Sequence, residues 1–240
     1  MREFLLYYGM FAIYYVMAIN SLYFIIMLFS FKSIMGILKS SIYSRFQALS
    51  GSEHVPPISI LVPAYNEELT IIENVRSLLA LNYPRYEVIV VNDGSKDDTL
   101  QVLIQEFSLT ISKHLPVQPL LHTSQVRGIY HNPDFPNLYL IDKENGGKAD
   151  SLNAGINLSH YPLIASIDAD SLLEKDALIR IAKVYMENPE ETVAIGGDIR
   201  IANGCKIENG VVKEIRLPDK FLPMMQSVGY LKAFLGGRIG

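Results

Sequence analysis

Leu163-Ile164-Ala165-Ser166-Ile167-Asp168-Ala169-Asp170-Ser171 is a short apolar run that stops at two carboxylates. A run of that length and composition predicts a buried strand delivering acids to its carboxyl end. Side chains at i and i+2 of an extended chain point the same way, so Asp168 and Asp170 are expected to face one site while Ala169 points elsewhere. Two carboxylates that close repel each other unless a cation sits between them. Mg²⁺ or Mn²⁺ carrying a diphosphate suits that place, because hard cations prefer carboxylate and phosphate oxygens. Asp-x-Asp is short enough to arise by chance, so its meaning depends on the rest of the chain.

Upstream, Ile58-Ser59-Ile60-Leu61-Val62 reads as a buried strand stopped by Pro63 and the turn Ala64-Tyr65-Asn66-Glu67-Glu68. Ile71, Ile72, Val75, Leu78 and Leu79 then recur at helical spacing. Glu87-Val88-Ile89-Val90-Val91 is a second strand, ending in Asn92-Asp93-Gly94-Ser95, and a helix is expected over 99–107. Residues 109–136 carry few periodic signals and several prolines, and read mostly as loop. Leu138-Tyr139-Leu140-Ile141 is a third strand, followed by Asn145-Gly146-Gly147-Lys148 and a helix over 149–158. Beyond Asp170 a helix is expected over 174–187, then a strand from Val193-Ala194-Ile195 through residues 198–201. Strands alternating with helices predict an α/β fold, a mostly parallel sheet with helices on both faces. Ligands of such sheets bind beyond the carboxyl ends of the strands, where four polar clusters of this chain fall in succession.

Each cluster has a chemistry. Asp93 can accept a hydrogen bond from the N3–H of a uracil, with Gly94 letting the base approach. Glu67 can accept from ribose hydroxyls, or complement the dipole of the helix behind it. Gly146-Gly147 ahead of a helix offers backbone N–H groups to an anion, and Lys148 adds a point charge suited to phosphate. The spacing is not that of a P-loop, and no Gly-x-Gly-x-x-Gly follows the first strand, so a dinucleotide site is not expected.

Pro63-Ala64-Tyr65-Asn66-Glu67, Val91-Asn92-Asp93-Gly94-Ser95, Asn145-Gly146-Gly147-Lys148-Ala149 and Asp168-Ala169-Asp170, in that order, resemble the motifs of membrane-bound family 2 glycosyltransferases. These are enzymes similar to poly-N-acetylglucosamine, hyaluronan and cellulose synthases. The resemblance covers roughly residues 55–240. It implies a GT-A fold and an inverting transfer from a UDP-sugar with Mg²⁺ or Mn²⁺. It further implies donor-binding roles for Pro63, Ala64, Tyr65, Glu67, Asp93, Gly147, Lys148 and Asp168. Uridine would fall to Ala64, Tyr65, Glu67 and Asp93, the diphosphate-sugar to Lys148 and Asp168, and the metal to Asp170 with Asp168.

The family also uses a carboxylate base from a Thr-Glu-Asp-like motif and a Gln-x-x-Arg-Trp acceptor motif. Neither is present here, and the chain has no tryptophan. Residues 221–240 resemble the segment leading to the acceptor site, but Gly229 stands where a glutamate usually precedes Tyr230. The expectation is therefore a donor-binding half lacking its base, as a truncated reading frame or one piece of a split enzyme would give; Asp198 is the one candidate stand-in and is not favoured. A partner subunit supplying the base, and a glycan or lipid-linked acceptor, follow from that reading. The alternatives are a non-catalytic nucleotide-sugar-binding partner of a complete synthase and a lipid-phosphate glycosyltransferase. A sugar nucleotidyltransferase would show a Gly-rich, Arg-containing loop after the first strand, and Pro63-Ala64-Tyr65-Asn66 is not one.

The N-terminal region has a different character. Residues 4–31 hold no charged side chain over 28 positions, more than the ~20 a membrane span needs. Aromatics sit at both ends, and Lys32, Lys39 and Arg45 follow against Arg2 alone before. The positive-inside bias predicts a single-pass anchor in the inner membrane with the downstream chain cytosolic. The organisation expected is a transmembrane helix over 1–31, a basic juxtamembrane linker over 32–54 and a glycosyltransferase domain over 55–240. The one cysteine, Cys205, forbids an internal disulfide. A net charge of −4 gives no reason to expect a nucleic-acid partner.

Overall fold

The computed structural model describes residues 2–39, 55–112, 120–197, 202, 204–208, 211–214 and 216–234. They fall into two compact units, one of residues 1–45, 196–205 and 215–240, the other of residues 46–195 and 206–214.

The second unit is built on a six-stranded sheet. Its strands are β1 (Ile58–Ala64), β2 (Tyr86–Asp93), β3 (Thr110–Ile111), β4 (Val126–His131), β5 (Leu138–Lys143) and β6 (Leu163–Ser166), in the order β3-β4-β5-β2-β1-β6. β5, β2, β1 and β6 run parallel, while β4 and β3 add an antiparallel edge. The parallel strands alternate side chains between two cores, as the period of two requires. Ile58, Ile60, Val62, Val88, Val90, Leu138 and Leu140 face one core. It is closed by Ile71, Val75 and Leu78 of α2 (Ile71–Leu79), Leu103 of α3 (Thr99–Glu106) and Leu178, Ile179 and Ala182 of α5 (Ala177–Glu187). Leu61, Ile89, Val91 and Ile141 face the other, under Ala154 and Leu158 of α4 (Lys148–Leu158). A strand buried on both faces reads as a near-continuous apolar run, which is why β1, β2 and β5 are legible in the sequence.

Three expectations are corrected. The strand before the two aspartates ends at Ser166, not at Asp168. Residues 109–136 contain β3 and β4, which pair with each other and with β5. Val126-Arg127-Gly128-Ile129 lies at the sheet margin with a bulge and half-exposed side chains, so it lacks apolar alternation. Residues 193–197 form no strand, and Val193 is fully exposed; residues 198–201, with Asp198, lie outside the described residues. A separate hairpin, β7 (Lys206–Glu208) with β8 (Val211–Glu214), adds to the expected elements. The dipeptide Asn209-Gly210, a strong hairpin signal, marks it in the sequence.

In the first unit, α1 (Arg2–Lys39) runs without interruption across the expected boundary at residue 31. Its stretch Leu6–Phe29, 24 residues at a mean hydropathy of 1.9, is long and apolar enough to cross a membrane. α6 (Phe221–Phe234) exposes Phe221, Leu222, Met225 and Val228. Gly229 lies within this helix and does not break it.

α4 lies close on β1: a Cβ placed at Gly155 would stand 2.9 Å from Leu61 Cδ2. Gly155→Val is expected to lower the unfolding free energy by about 1–3 kcal/mol through overpacking, read by thermal unfolding against the native chain.

Candidate functional site

Pro63, Ala64, Tyr65, Glu67, Asp93, Lys148, Ser151, Asp168, Ala169 and Asp170 line one open cavity of about 260 Å³ at the carboxyl ends of the parallel strands. Every residue expected in the donor and metal sites is in that wall except Gly147. Ser151 was not expected there.

The floor is set by a buried lysine. Lys143, the last residue of β5, is fully buried. Its Nζ lies 2.5 Å from Asp93 Oδ1 and 2.6 Å from Asp150 Oδ2, and also donates to the Glu144 carbonyl. Asp93 stands opposite Lys143 in the β2–β5 register, so both side chains leave the sheet on one side. The Asp93 carboxylate also accepts from the amides of Gly146 at 3.0 Å and Gly147 at 2.8 Å. Burial pushes the Asp93 carboxyl up, but the Lys143 ammonium and the two glycine amides outweigh it and hold it below its ordinary value. Asp150 is likewise pushed up by burial and drawn below its ordinary value by Lys143 and Ser124.

This arrangement changes two sequence readings. The amides of Gly146 and Gly147 do not stand free for a ligand anion; the anion they hold is Asp93. Gly147, with φ of +85°, is the hinge of that loop behind the cavity wall. Gly94 is required by the fold rather than by an approaching base: its φ is +66°, and a Cβ would meet the Asn145 amide nitrogen at 2.8 Å. A carboxylate has about four lone-pair directions, and Asp93 has filled three, so one remains for a ligand donor.

The two loops after β1 and β2 are fastened side chain to backbone. Asn66 sits at φ +58° and accepts from the Lys96 amide at 2.8 Å, while its own amide donates to Ser95 Oγ at 3.0 Å. The Glu67 amide donates to Thr99 Oγ1 at 2.8 Å. Glu67 Oε2 accepts from Thr70 Oγ1 at 2.8 Å, just ahead of α2, and still borders the cavity. Asn66 is thus a brace between loops, whereas Tyr65 stays exposed on the wall.

Asp168 and Asp170 do not share a face of a strand. They lie in a turn closed by the Ser171 amide donating to the Asp168 carbonyl at 3.0 Å. Ala169 is buried in the core and anchors the turn, which leaves the two flanking carboxylates at the cavity. The buried Asn74 side chain of α2 holds the turn from behind, donating to the carbonyls of Asp168 and Ser171. Nothing in the sequence around Asn74 announces that role; it reads as one polar position in a helix. Lys148, in the first turn of α4, reaches across to pair with Asp168, both side chains exposed. Among the described residues no three His, Cys, Asp or Glu side chains gather to form a self-sufficient metal centre. Two carboxylates fit a cation that brings phosphate oxygens and water as its other ligands, the usual condition of Mg²⁺.

The chain belongs to glycosyl transferase family 2, whose sequence profile matches residues 59–118 and 122–229. The α/β sheet covered on both faces is the arrangement implied by the motifs. Among curated proteins it is similar to the poly-beta-1,6-N-acetyl-D-glucosamine synthase of Staphylococcus epidermidis, 34% identical over 159 residues, 65% of this chain and 32% of that protein. The synthase of Staphylococcus aureus strain COL is 30% identical over 150 residues, 62% of this chain and 30% of that protein. The chain spans about a third of the length of these relatives. Among solved structures it is similar to S. aureus TarS 1-349 in complex with UDP-GlcNAc, at 21% identity and a TM-score of 0.42 over 59% of this chain and 37% of that one.

Lys143→Met leaves the buried Asp93 and the partly buried Asp150 without their cation and is expected to cost about 3–5 kcal/mol at neutral pH. The folded-state values of Asp93 and Asp150 lie below the unfolded ones, so their contribution is complete above about pH 4 and is lost as pH falls through the depressed values. Chemical unfolding across pH should therefore show the native chain weakening in acid while the difference from Lys143→Met narrows.

Proposed function

We propose that the chain is the donor-binding part of a membrane-anchored, inverting family 2 glycosyltransferase. It takes a UDP-sugar, with Mg²⁺ or Mn²⁺, and serves the extension of a glycan at the inner face of the membrane. The observation that carries this reading is the meeting of four strand ends in one cavity, with Asp93 at its floor and Asp168, Asp170 and Lys148 at its mouth. The likeness to poly-N-acetylglucosamine synthases supports UDP-N-acetylglucosamine as the donor.

In this reading Ala64, Tyr65, Glu67 and the remaining lone pair of Asp93 hold the uridine. Asp170, with Asp168, would hold the divalent cation, which would supply charge neutralisation to the diphosphate. Lys148 turns from Asp168 to a phosphate oxygen, one ion pair giving way to another at an exposed position. An inverting transfer also needs a carboxylate base against the acceptor hydroxyl. Each carboxylate on the cavity wall already has a partner or a donor-side role. We therefore assign the base, and the acceptor site, to parts of the protein or a partner subunit outside the described residues. The span in α1 serves as the anchor, and Lys32, Lys39 and Arg45 support a cytosolic placement of the domain. The unit built on the six-stranded sheet, residues 46–195 and 206–214, then carries the donor site.

Calorimetric titration of UDP into the detergent-solubilised chain, with and without Mn²⁺, tests this. UDP should bind, Mn²⁺ should strengthen binding about tenfold or more, and Asp170→Asn should remove the metal-dependent part. Asn74→Ala, which frees the turn without removing a carboxylate, should weaken the same part to a smaller degree. Absence of UDP binding in all conditions would overturn the reading.

A further inference from the structure

Three side-chain polar atoms among the described residues are buried without a hydrogen-bond partner: Asn74 Oδ1, Ser77 Oγ and Ser151 Oγ. A buried hydroxyl with no partner is a standing cost to the fold, which is why such groups are rare. Ser77 lies on α2 and is not among the residues that line the strand-end cavity. Ser151 differs, because this fully buried residue is part of the wall of the strand-end cavity.

The local geometry explains why its hydroxyl is spare. Ser151 is in the first turn of α4, three residues after Lys148, so both leave the same face of the helix. A helical serine often returns its hydroxyl to the carbonyl four residues back. Here the Gly147 carbonyl accepts the Ser151 amide at 3.0 Å, and the hydroxyl makes no bond to it. Neighbouring acids are also engaged: Asp150 by Lys143 and the Ser124 amide, Asp93 by Lys143 and the two glycine amides. The hydroxyl is thus left without a partner within the fold, on a residue that lines the strand-end cavity.

We propose that Ser151 is a ligand-contacting residue of the nucleotide site, its hydroxyl exchanging a hydrogen bond with a polar atom of the nucleoside diphosphate bound in this cavity. The inference rests on the donor-site reading above and adds to it a residue that none of the four motifs supplies. Ligand binding would complete a polar group that the empty fold leaves unsatisfied.

The test pairs two variants of the detergent-solubilised chain, Ser151→Ala and Ser77→Ala, each measured for UDP affinity with Mn²⁺ and for unfolding temperature without ligand. Both variants remove an orphan hydroxyl, so both should unfold at the native temperature or above it. Only Ser151→Ala should lose UDP affinity, by about 3- to 10-fold, the worth of one hydrogen bond. Native-like UDP binding by Ser151→Ala, in a chain that does bind UDP, would overturn this inference and leave the donor site standing. A fall in its ligand-free unfolding temperature would show that the hydroxyl has a partner within the fold, and would overturn it too. Failure of the native chain to bind UDP would remove the donor-site reading and this inference with it.

Discussion

One buried ammonium holds the working end of this sheet together. Lys143 closes β5, and its charge lies between a carboxylate at the end of β2 and another in the first turn of α4. Moving such a group out of water is expensive, and two carboxylates around one cation leave a net negative charge. The balance is made by oriented backbone: amides of Gly146 and Gly147 on Asp93, and of Ser124 on Asp150. Those bonds fix where α4 begins, and with it where Lys148 and Ser151 stand. They also force a left-handed residue at position 94, where the loop passes against Asn145.

The two sides of the cavity are built differently. On the side of Tyr65 and Glu67 the walls are cross-braced, Asn66 and Glu67 being tied to the segment 95–99 by backbone and side-chain hydrogen bonds. On the side of Lys148 the charged groups are exposed, and Lys148 and Asp168 pair with each other. Walls already held by internal hydrogen bonds lower the ordering cost of binding. An exposed ion pair is weak and easily exchanged, as the proposed role of Lys148 and Asp168 requires. Asn74 joins the two sides by securing the Asp168–Ser171 turn to a helix of the core.

Much of this was legible in the sequence, for physical reasons. Strands buried on both faces give apolar runs, and β1, β2 and β5 stood out at once. The polar residues at their ends mark the crevice, because that is where the sheet stops burying side chains. What stayed hidden depends on contacts between distant segments. Lys143 reads as one charge among Asp142, Glu144 and Lys148, and only the register against Asp93 shows it to be buried. Gly94 and Gly147 announce special backbone geometry, yet not that an internal carboxylate, rather than a ligand, uses the amides beside them. Asn74 and Ser151 carry no sequence signal, since their roles come from which helix face meets the site. The strands β3 and β4 were missed because a half-exposed edge needs no apolar alternation.

The central claim is that segments after four separate strands bind one nucleotide together. Hydrogen–deuterium exchange on the detergent-solubilised chain, with and without UDP and Mn²⁺, tests that most directly. The account predicts slowed exchange at residues 64–68, 93–95, 144–151 and 168–171 together, with the β7–β8 hairpin unchanged. Protection that falls elsewhere, or that omits 168–171 when the metal is present, would contradict it.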